Sequence, residues 1–226
     1  AGERGPLWIT ARAQTSGRGR RGRVWTSEPG NLYASLLQVG VAPPGAAPQL
    51  SFVCALALYD ALTEVAPSLR GRTALKWPND LLVGGRKIAG ILIEGEFVAG
   101  DVLAVVAGIG VNCAHHPDGT NATALSAEGE AVSPERLFAA LADAMLSRLR
   151  QWDGGRNFAT TRADWLVLAK GVGTVIKVRG NDGEIEGVFE TLDASGQLVL
   201  KQSDGTTRLI AAGDVVMPDA SLGVTA

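Results

Sequence analysis

Three features of the chain predict an α+β protein, with helices packed against a mixed, mainly antiparallel sheet and a small all-β barrel following it. Apolar runs of strand length come early and are joined by glycine-containing turns, as in hairpins. A few segments have helical length and composition, set between and after those runs. Beyond Lys170 the texture changes to short apolar alternations broken at regular spacing by turns.

In order, Leu7–Gln14 reads as a strand that runs into Thr15–Arg23, a stretch of turn composition without hydrophobic period. Asn31–Val39 is an apolar strand of the kind found in a sheet covered on both faces, and Gly40–Pro48 is a loop. Gln49–Val65, rich in alanine and leucine and ending before Pro67, is a helix against a sheet. Thr73–Trp77 is a strand, Pro78-Asn79-Asp80 a turn and Leu81–Val83 a further strand. Gly84-Gly85 is a hairpin turn returning into Lys87–Glu94, and Val102–Asn112 is a buried strand. Ser133 caps a helix that starts at Pro134 and carries Leu137, Leu141, Met145, Leu149 and Trp152 along one face. Phe158–Lys170 is another helix, stopped by Gly171. The turns of the barrel fall at Asn181-Asp182-Gly183, Asp193–Gly196 and Ser203-Asp204-Gly205. The division is thus residues 1–170 and 171–226.

Hydrophobic residues make up 46% of the 226 positions and charged residues 19%, enough for a real core and unlike a disordered chain. A net charge of −2 gives no sign of nucleic acid or an anionic membrane as partner, so any basic site is local. Two cysteines are too few for a disulfide framework. No apolar run reaches the length of a membrane span, and Ala1–Pro6 has no hydrophobic signal core, so a cytoplasmic location is expected.

Gly17–Arg23 (GRGRRGR) puts four arginines in seven residues. It contains G-x-G-x-x-G after a strand, but the dinucleotide-binding reading requires a helix to open there, and Pro29-Gly30 follows instead. Flexible backbone and guanidinium forks suit an anion such as phosphate or carboxylate. A solvated basic loop, or an arginine–glycine segment binding RNA or DNA, are the other readings; the latter usually sits in a wider basic surface. Lys76-Trp77-Pro78-Asn79-Asp80 is a strand end and turn, ordinary turn chemistry if taken alone. Lys87 stands in an apolar strand, where an edge charge is the plain alternative. Gly108-Ile109-Gly110-Val111-Asn112 places glycines inside a strand, marking a bulge or a close approach of a ligand. Cys113, His115 and His116 lack a partner pair at ligand spacing, so no metal site is expected.

In this order, the motifs G-R-G-R-R-G-R, K-W-P-N-D, K-x-x-G-I-L-x-E and G-I-G-V-N resemble the biotin–protein ligases of the bacterial type lacking a DNA-binding domain. The resemblance covers nearly the whole chain, to Gly213-Asp214-Val215-Val216. It implies the class II synthetase-like biotin–lipoate ligase fold, with a catalytic biotin- and ATP-binding domain followed by an SH3-like barrel. It also implies a ligase that activates biotin with ATP to biotinyl-5′-AMP and passes biotin to a lysine of a biotin carboxyl carrier protein, with Mg²⁺ accompanying the ATP. Lys87, Arg20 and Asp80 would be catalytic. Gln14, Arg18, Gly19, Arg20, Lys87, Gly108 and Gly110 would bind biotin. Arg20, Arg23, Trp25, Asn79, Asp80, Lys87 and Asn112 would hold ATP or the adenylate. The family's strand and Ser-Thr-Asn segment upstream of Leu7 are not among these residues, and Ala122-Thr123-Ala124-Leu125 offers no tryptophan for adenine. A lipoate–protein ligase-like enzyme is the nearest alternative, and a nucleic-acid-binding module using the arginine loop is the alternative from another class. A homodimer is compatible with the resemblance.

Overall fold

A computed structural model describes residues 5–98, 101–180 and 183–217. The expected absence of a signal core at Ala1–Arg4 and the turn at Asn181-Asp182 lie outside these residues. Strands β1 (Leu7–Ala11), β2 (Leu32–Val39), β3 (Thr73–Lys76), β4 (Asp80–Val83), β5 (Arg86–Val98) and β6 (Val102–Val111) form one sheet, in the order β1-β2-β6-β5-β4-β3. Every ladder in it is antiparallel. Among the described residues, parallel contacts are confined to two isolated bridges, Leu75 with Ala169 and Lys87 with Ala122.

Helices α1 (Leu50–Val65) and α2 (Pro134–Trp152) cover one face of this sheet, with α3 (Phe158–Leu168) packed beside them. Ser133 caps α2 by accepting a hydrogen bond from the Arg136 N–H, as its sequence predicts. The side chains of Leu137, Leu141, Met145 and Trp152 are buried along its inner face. Helix α1 is buried nearly all round, with Val53, Leu56, Leu58, Ala61 and Leu62 fully enclosed. One expectation is corrected here. Pro44–Val65 is long and apolar enough to cross a membrane, because a helical turn at Pro44–Gln49 extends α1 backward. Its apolar side chains are nevertheless taken up by the core, as in a central helix of a globular fold. A second correction concerns α3, which ends at Leu168 rather than Lys170. Ala169 turns to extended backbone, and Lys170 N–H donates to Leu75 O at 2.7 Å, so pairing with β3 takes over from the helix.

Strands β7 (Val175–Arg179), β8 (Glu184–Leu192), β9 (Leu198–Lys201), β10 (Thr207–Ile210) and β11 (Asp214–Val216) form a second antiparallel sheet, in the order β10-β9-β8-β7-β11. Among the described residues no ladder joins β10 to β11, so its hydrogen bonding is open there. Its inner side chains, including Ile176, Phe189, Leu198 and Leu200, belong to the same apolar cluster as the first sheet and its helices. The Trp77 indole N–H donates to Gly196 O at 3.2 Å across the junction. Phe52 packs edge-to-face on Phe158 and Trp165, with ring centroids 5.6 and 5.4 Å apart.

Candidate functional site

The face of the six-stranded sheet turned away from the helices is the floor of a cavity of about 1110 Å³. Strand alternation sorts the residues: Ala107, Ile109 and Val111 of β6 enter the core, while Val106, Gly108 and Gly110 line the cavity. So β2 is not covered by packed helices on both faces; Leu32, Ala34 and Leu36 point into the core, and Tyr33 and Ser35 line the cavity. Gly90 of β5 lies opposite Gly110 in the β5–β6 register. The Trp25 ring rests on this glycine pair. A Cβ on Gly110 would lie 2.6–2.7 Å from the indole, and one on Gly90 would lie 3.1 Å from it. Gly108 is different, since its nearest neighbour would be 3.6 Å away. The glycine at 110 is therefore demanded by the protein's own tryptophan, whereas Gly108 leaves open floor.

Lys87 reaches this floor through a bulge. The β4–β5 register pairs Leu81 with Ala89 and then Leu82 with Lys87, so Ile88 is passed over. Uninterrupted alternation from Ala89, Ile91 and Ile93 would turn Lys87 to the core; the extra residue turns it to the cavity instead. There its ammonium lies 2.5 Å from Asp80 Oδ1, an ion pair without the angles of a directed hydrogen bond, and 5.4 Å from the centre of the Trp25 ring. The Trp25 Nε1 is buried and has no hydrogen-bond partner. A lysine, a carboxylate and an indole edge thus meet on one patch of floor.

The glycine–arginine segment forms a tight hairpin over the cavity. Arg18 bridges Val24, Gly19 N–H donates to Arg23 O at 2.7 Å, and Trp25 N–H donates to Gly17 O at 3.0 Å. Gly22, with φ +70°, makes the turn at its tip. A Cβ on Gly17 would strike Trp25 O at 2.3 Å, so the base of the hairpin admits no side chain. Ser27 Oγ donates to Gln14 Oε1 at 2.7 Å and ties the two ends together. Arg20 points inward, donating to Asn79 Oδ1 at 3.1 Å and to Gly213 O at 3.2 Å. Burial lowers the Arg20 pKa from its ordinary value, and the nearby Asp214 carboxylate opposes that effect. Arg23 donates to both oxygens of Asp214 at 2.8 Å, and Arg21 stands 3.5 Å from the same carboxylate. Arg18 lies 3.9 Å from Glu94 at the rim, largely exposed.

All the residues singled out in the sequence therefore come together: Gln14, Arg18, Gly19, Arg20, Arg23, Trp25, Asn79, Asp80, Lys87, Gly108, Gly110 and Asn112 line one cavity. Asn112 does so with its amide N–H already given to Thr123 O at 2.9 Å. Asn79 likewise donates to Ile91 O at 2.7 Å, which fixes the turn before β4 against β5. Two contributors escaped the sequence reading. Asp214, from the second sheet, is the counter-ion of the arginine hairpin; four clustered arginines with no local acid were the available signal. The segment Asn121–Thr123 pairs with the Lys87 backbone, and its sequence carries no strand signal. Among the described residues, Cys113, His115 and His116 belong to no group of three that could hold a metal ion, and burial pushes the Cys113 thiol up to about 11. Chemically, the cavity offers fixed positive charge for anions, a carboxylate beside the lysine, and flat apolar floor.

Comparison with known proteins gives the same picture from outside. Residues 3–112 match the biotin/lipoate A/B protein ligase family, and residues 173–217 match the biotin protein ligase C terminal domain. The chain is 42% identical over 219 residues to the biotin–[acetyl-CoA-carboxylase] ligase of Paracoccus denitrificans, covering 92% of this chain and 89% of that protein. It is 33% identical over 216 residues to the corresponding ligase of Mycobacterium tuberculosis, covering 92% and 77%. With the bifunctional ligase/repressor of Bacillus subtilis it shares 32% identity over 212 residues, spanning 64% of that protein. Among solved structures, the biotin protein ligase from Aquifex aeolicus in complex with biotin and ATP superimposes with a TM-score of 0.76 at 26% identity, covering 92% and 87% of the two chains. The Leishmania major enzyme in complex with biotinyl-5-AMP gives 0.61 at 26% identity, covering 91% and 88%.

Proposed function

The chain belongs to the biotin/lipoate A/B protein ligase family, and from that premise we propose that it uses the cavity under the arginine hairpin to activate biotin with ATP and to pass it to a lysine of a biotin carboxyl carrier protein. The observation that carries the reading is the meeting of Lys87, Asp80 and Arg20 on one wall of a cavity of about 1110 Å³. That volume lies just above the usual span of small-molecule sites, roughly 300–1,000 Å³, as two substrates bound together require.

In the first step a biotin carboxylate oxygen attacks the α-phosphorus of ATP, the bond to the β-phosphate oxygen breaks, and pyrophosphate leaves. Two anions must approach, so the work of the protein is to hold positive charge where negative charge accumulates. Lys87 is assigned to the carboxylate and the reacting phosphate, Arg18 and Arg20 to biotin and the adenylate phosphate, and Arg23 to the outer phosphates. Gln14 and the backbone at Gly19 are assigned to the biotin head over the open floor at Gly108, with Gly110 beside it beneath the Trp25 ring. Trp25, Asn79 and Asn112 are assigned to the nucleotide. In the second step the carrier lysine nitrogen attacks the carbonyl carbon of biotinyl-5′-AMP, AMP leaves and an amide forms. Asp80, already beside one ammonium, is assigned to orient the incoming amine and accept its proton. Magnesium is expected with ATP, where it would neutralise phosphate charge.

The catalytic unit is taken as residues 1–170 and the C-terminal unit, an SH3-like barrel in this reading, as 171–226. The reading also includes a cytoplasmic location and a carrier-protein partner without nucleic acid or membrane, and it is compatible with a homodimer. The test is biotin-dependent exchange of pyrophosphate into ATP, followed by labelling of a carrier domain, with lipoate as competitor. Exchange and labelling with biotin are expected; preference for lipoate, or labelling that needs neither biotin nor ATP, would overturn the reading.

A further inference from the structure

Lys87 stands where the sheet runs out. On the side of β5 away from β4, strand β6 ends at Val111, the partner of Ala89, and Asn112 N–H donates to Ile88 O at 2.9 Å. Beyond that point another segment takes the place of β6. Lys87 N–H donates to Asn121 O at 3.0 Å, and Thr123 N–H donates to Lys87 O at 2.8 Å. The same segment holds Asn112, whose side-chain amide donates to Thr123 O. These three residues make no longer strand that would secure them. Asn121 donates its side-chain amide to Gly85 O at 3.3 Å, and Glu128 holds Thr123. Thr123, fully buried, donates its hydroxyl to Glu128 Oε1 at 2.6 Å. Arg86, the first residue of β5, donates to that oxygen at 2.6 Å, and Arg72, preceding β3, donates to the other. The Glu128 side chain is only 2% exposed. Burial pushes its pKa up, but Thr123 and the two arginines outweigh this and hold it below the ordinary value, so it is a carboxylate at neutral pH.

We propose that Glu128 is a positioning residue for biotin activation: through Thr123 it keeps residues 121–123 against the Lys87 backbone, and so keeps the Ile88 bulge in the register that turns the Lys87 ammonium to Asp80 and the cavity. The proposal rests on the ligase reading of that cavity. Its logic is that of strand register. A bulge is one residue away from regular alternation, and regular alternation sends Lys87 to the opposite face. On one side β4 holds the bulge through a short ladder; on the other, only the 121–123 bridge meets Lys87 itself. Glu128 gathers three donors from three segments: Thr123, which pairs with the Lys87 backbone, Arg86, which precedes Lys87 in sequence, and Arg72, whose carbonyl accepts from the Gly84 N–H of the β4–β5 turn. It does not line the cavity, so it acts on the lysine and not on a substrate.

The experiment uses the whole chain and two readouts. Glu128→Ala is expected to lower the kcat of biotin-dependent pyrophosphate exchange by about 10²-fold, the scale of a misplaced reacting group. The KM for biotin should change less than kcat, since Gln14 and the backbone at Gly19 keep their contacts with the biotin head while only the Lys87 contact to the carboxylate is displaced. Thr123→Val, which keeps volume and loses the hydroxyl, is expected to reproduce the defect, and Thr123→Ser to restore near-normal kcat. Hydrogen exchange at the Lys87 and Thr123 amides should quicken by at least about tenfold in Glu128→Ala while the amides of α1 stay protected. A normal kcat in both Glu128→Ala and Thr123→Val, or unchanged protection of the Lys87 amide, overturns the proposal. If the unaltered chain shows no biotin-dependent exchange, the ligase reading fails, and the amide protection alone still decides whether Glu128 holds the bulge.

Discussion

An ammonium held between a carboxylate and an indole, on a floor of glycine, has little freedom to be replaced. Lys87→Ala removes the charge that faces both Asp80 and the space above Gly90. Loss of one such contact in a site excluded from water typically costs about 10²–10³ in rate. Adenylate formation is therefore expected to fall by that factor, measured as pyrophosphate release. The side chain is a third exposed, so the melting temperature should change little. The glycine floor makes a separate prediction at the same scale. Gly110→Ala drives a Cβ into the Trp25 ring, whereas Gly108→Ala meets nothing nearer than 3.6 Å. Overpacking of this kind costs roughly 1–3 kcal/mol. Gly110→Ala is expected to lower stability and shift the tryptophan fluorescence, with Gly108→Ala close to the parent in both. Equal behaviour of the two variants would show that Trp25 does not sit on Gly110.

The arginine hairpin is an element held by partners of modest strength. Its ion pairs with Asp214 and Glu94 are partly or largely exposed, and such pairs contribute about 0–1 kcal/mol each. A hairpin secured in this way can exchange carboxylate for phosphate when an anionic ligand arrives. Arg20 is the member that points inward, onto Asn79 and Gly213 O, and is the best placed to retain a reactive adenylate. Arg20→Gly is accordingly expected to raise the off-rate of biotinyl-AMP more than it slows the formation of the adenylate, because Lys87 remains. Free adenylate should then modify lysines on a bystander protein, and a variant that holds its adenylate as tightly as the parent would sink the assignment.

At the scale of the whole molecule, the two sheets share one apolar core, with Trp77 and Phe52 reaching across to the turn at Gly196. Gly196 has φ +90°, and a Cβ there would lie 2.7 Å from the Phe52 ring. Gly196→Ala combines backbone strain with overpacking and is expected to destabilise the chain by roughly 1–3 kcal/mol. Because the core is continuous, circular dichroism and tryptophan fluorescence should report one coincident unfolding transition in both proteins. Two separated transitions would mean that the C-terminal sheet folds as an independent unit.

The sequence by itself determined most of the helices and strands and which residues were candidates for the chemistry. Strand β2 and helix α1 start within one residue of where their composition places them, and Ser133-Pro134 opens α2 as written. These signals are local: apolar period, capping side chains, and glycine or proline at turns act over a few residues, so they survive in one dimension. The four motifs likewise name Lys87, Asp80, Arg20 and Asn112 before any contact is known. Only the tertiary structure decided which way Lys87 faces, since Ile88 becomes a bulge through the register with β4, not through its own preference. It also decided that Gly110 serves Trp25, that Asp214 from the second sheet answers the arginines, and that Glu128 braces the lysine strand. The physical reason is common to all four. Register, close packing and counter-ion pairing depend on which distant segments are brought together when the apolar core is buried, and no local propensity encodes that choice.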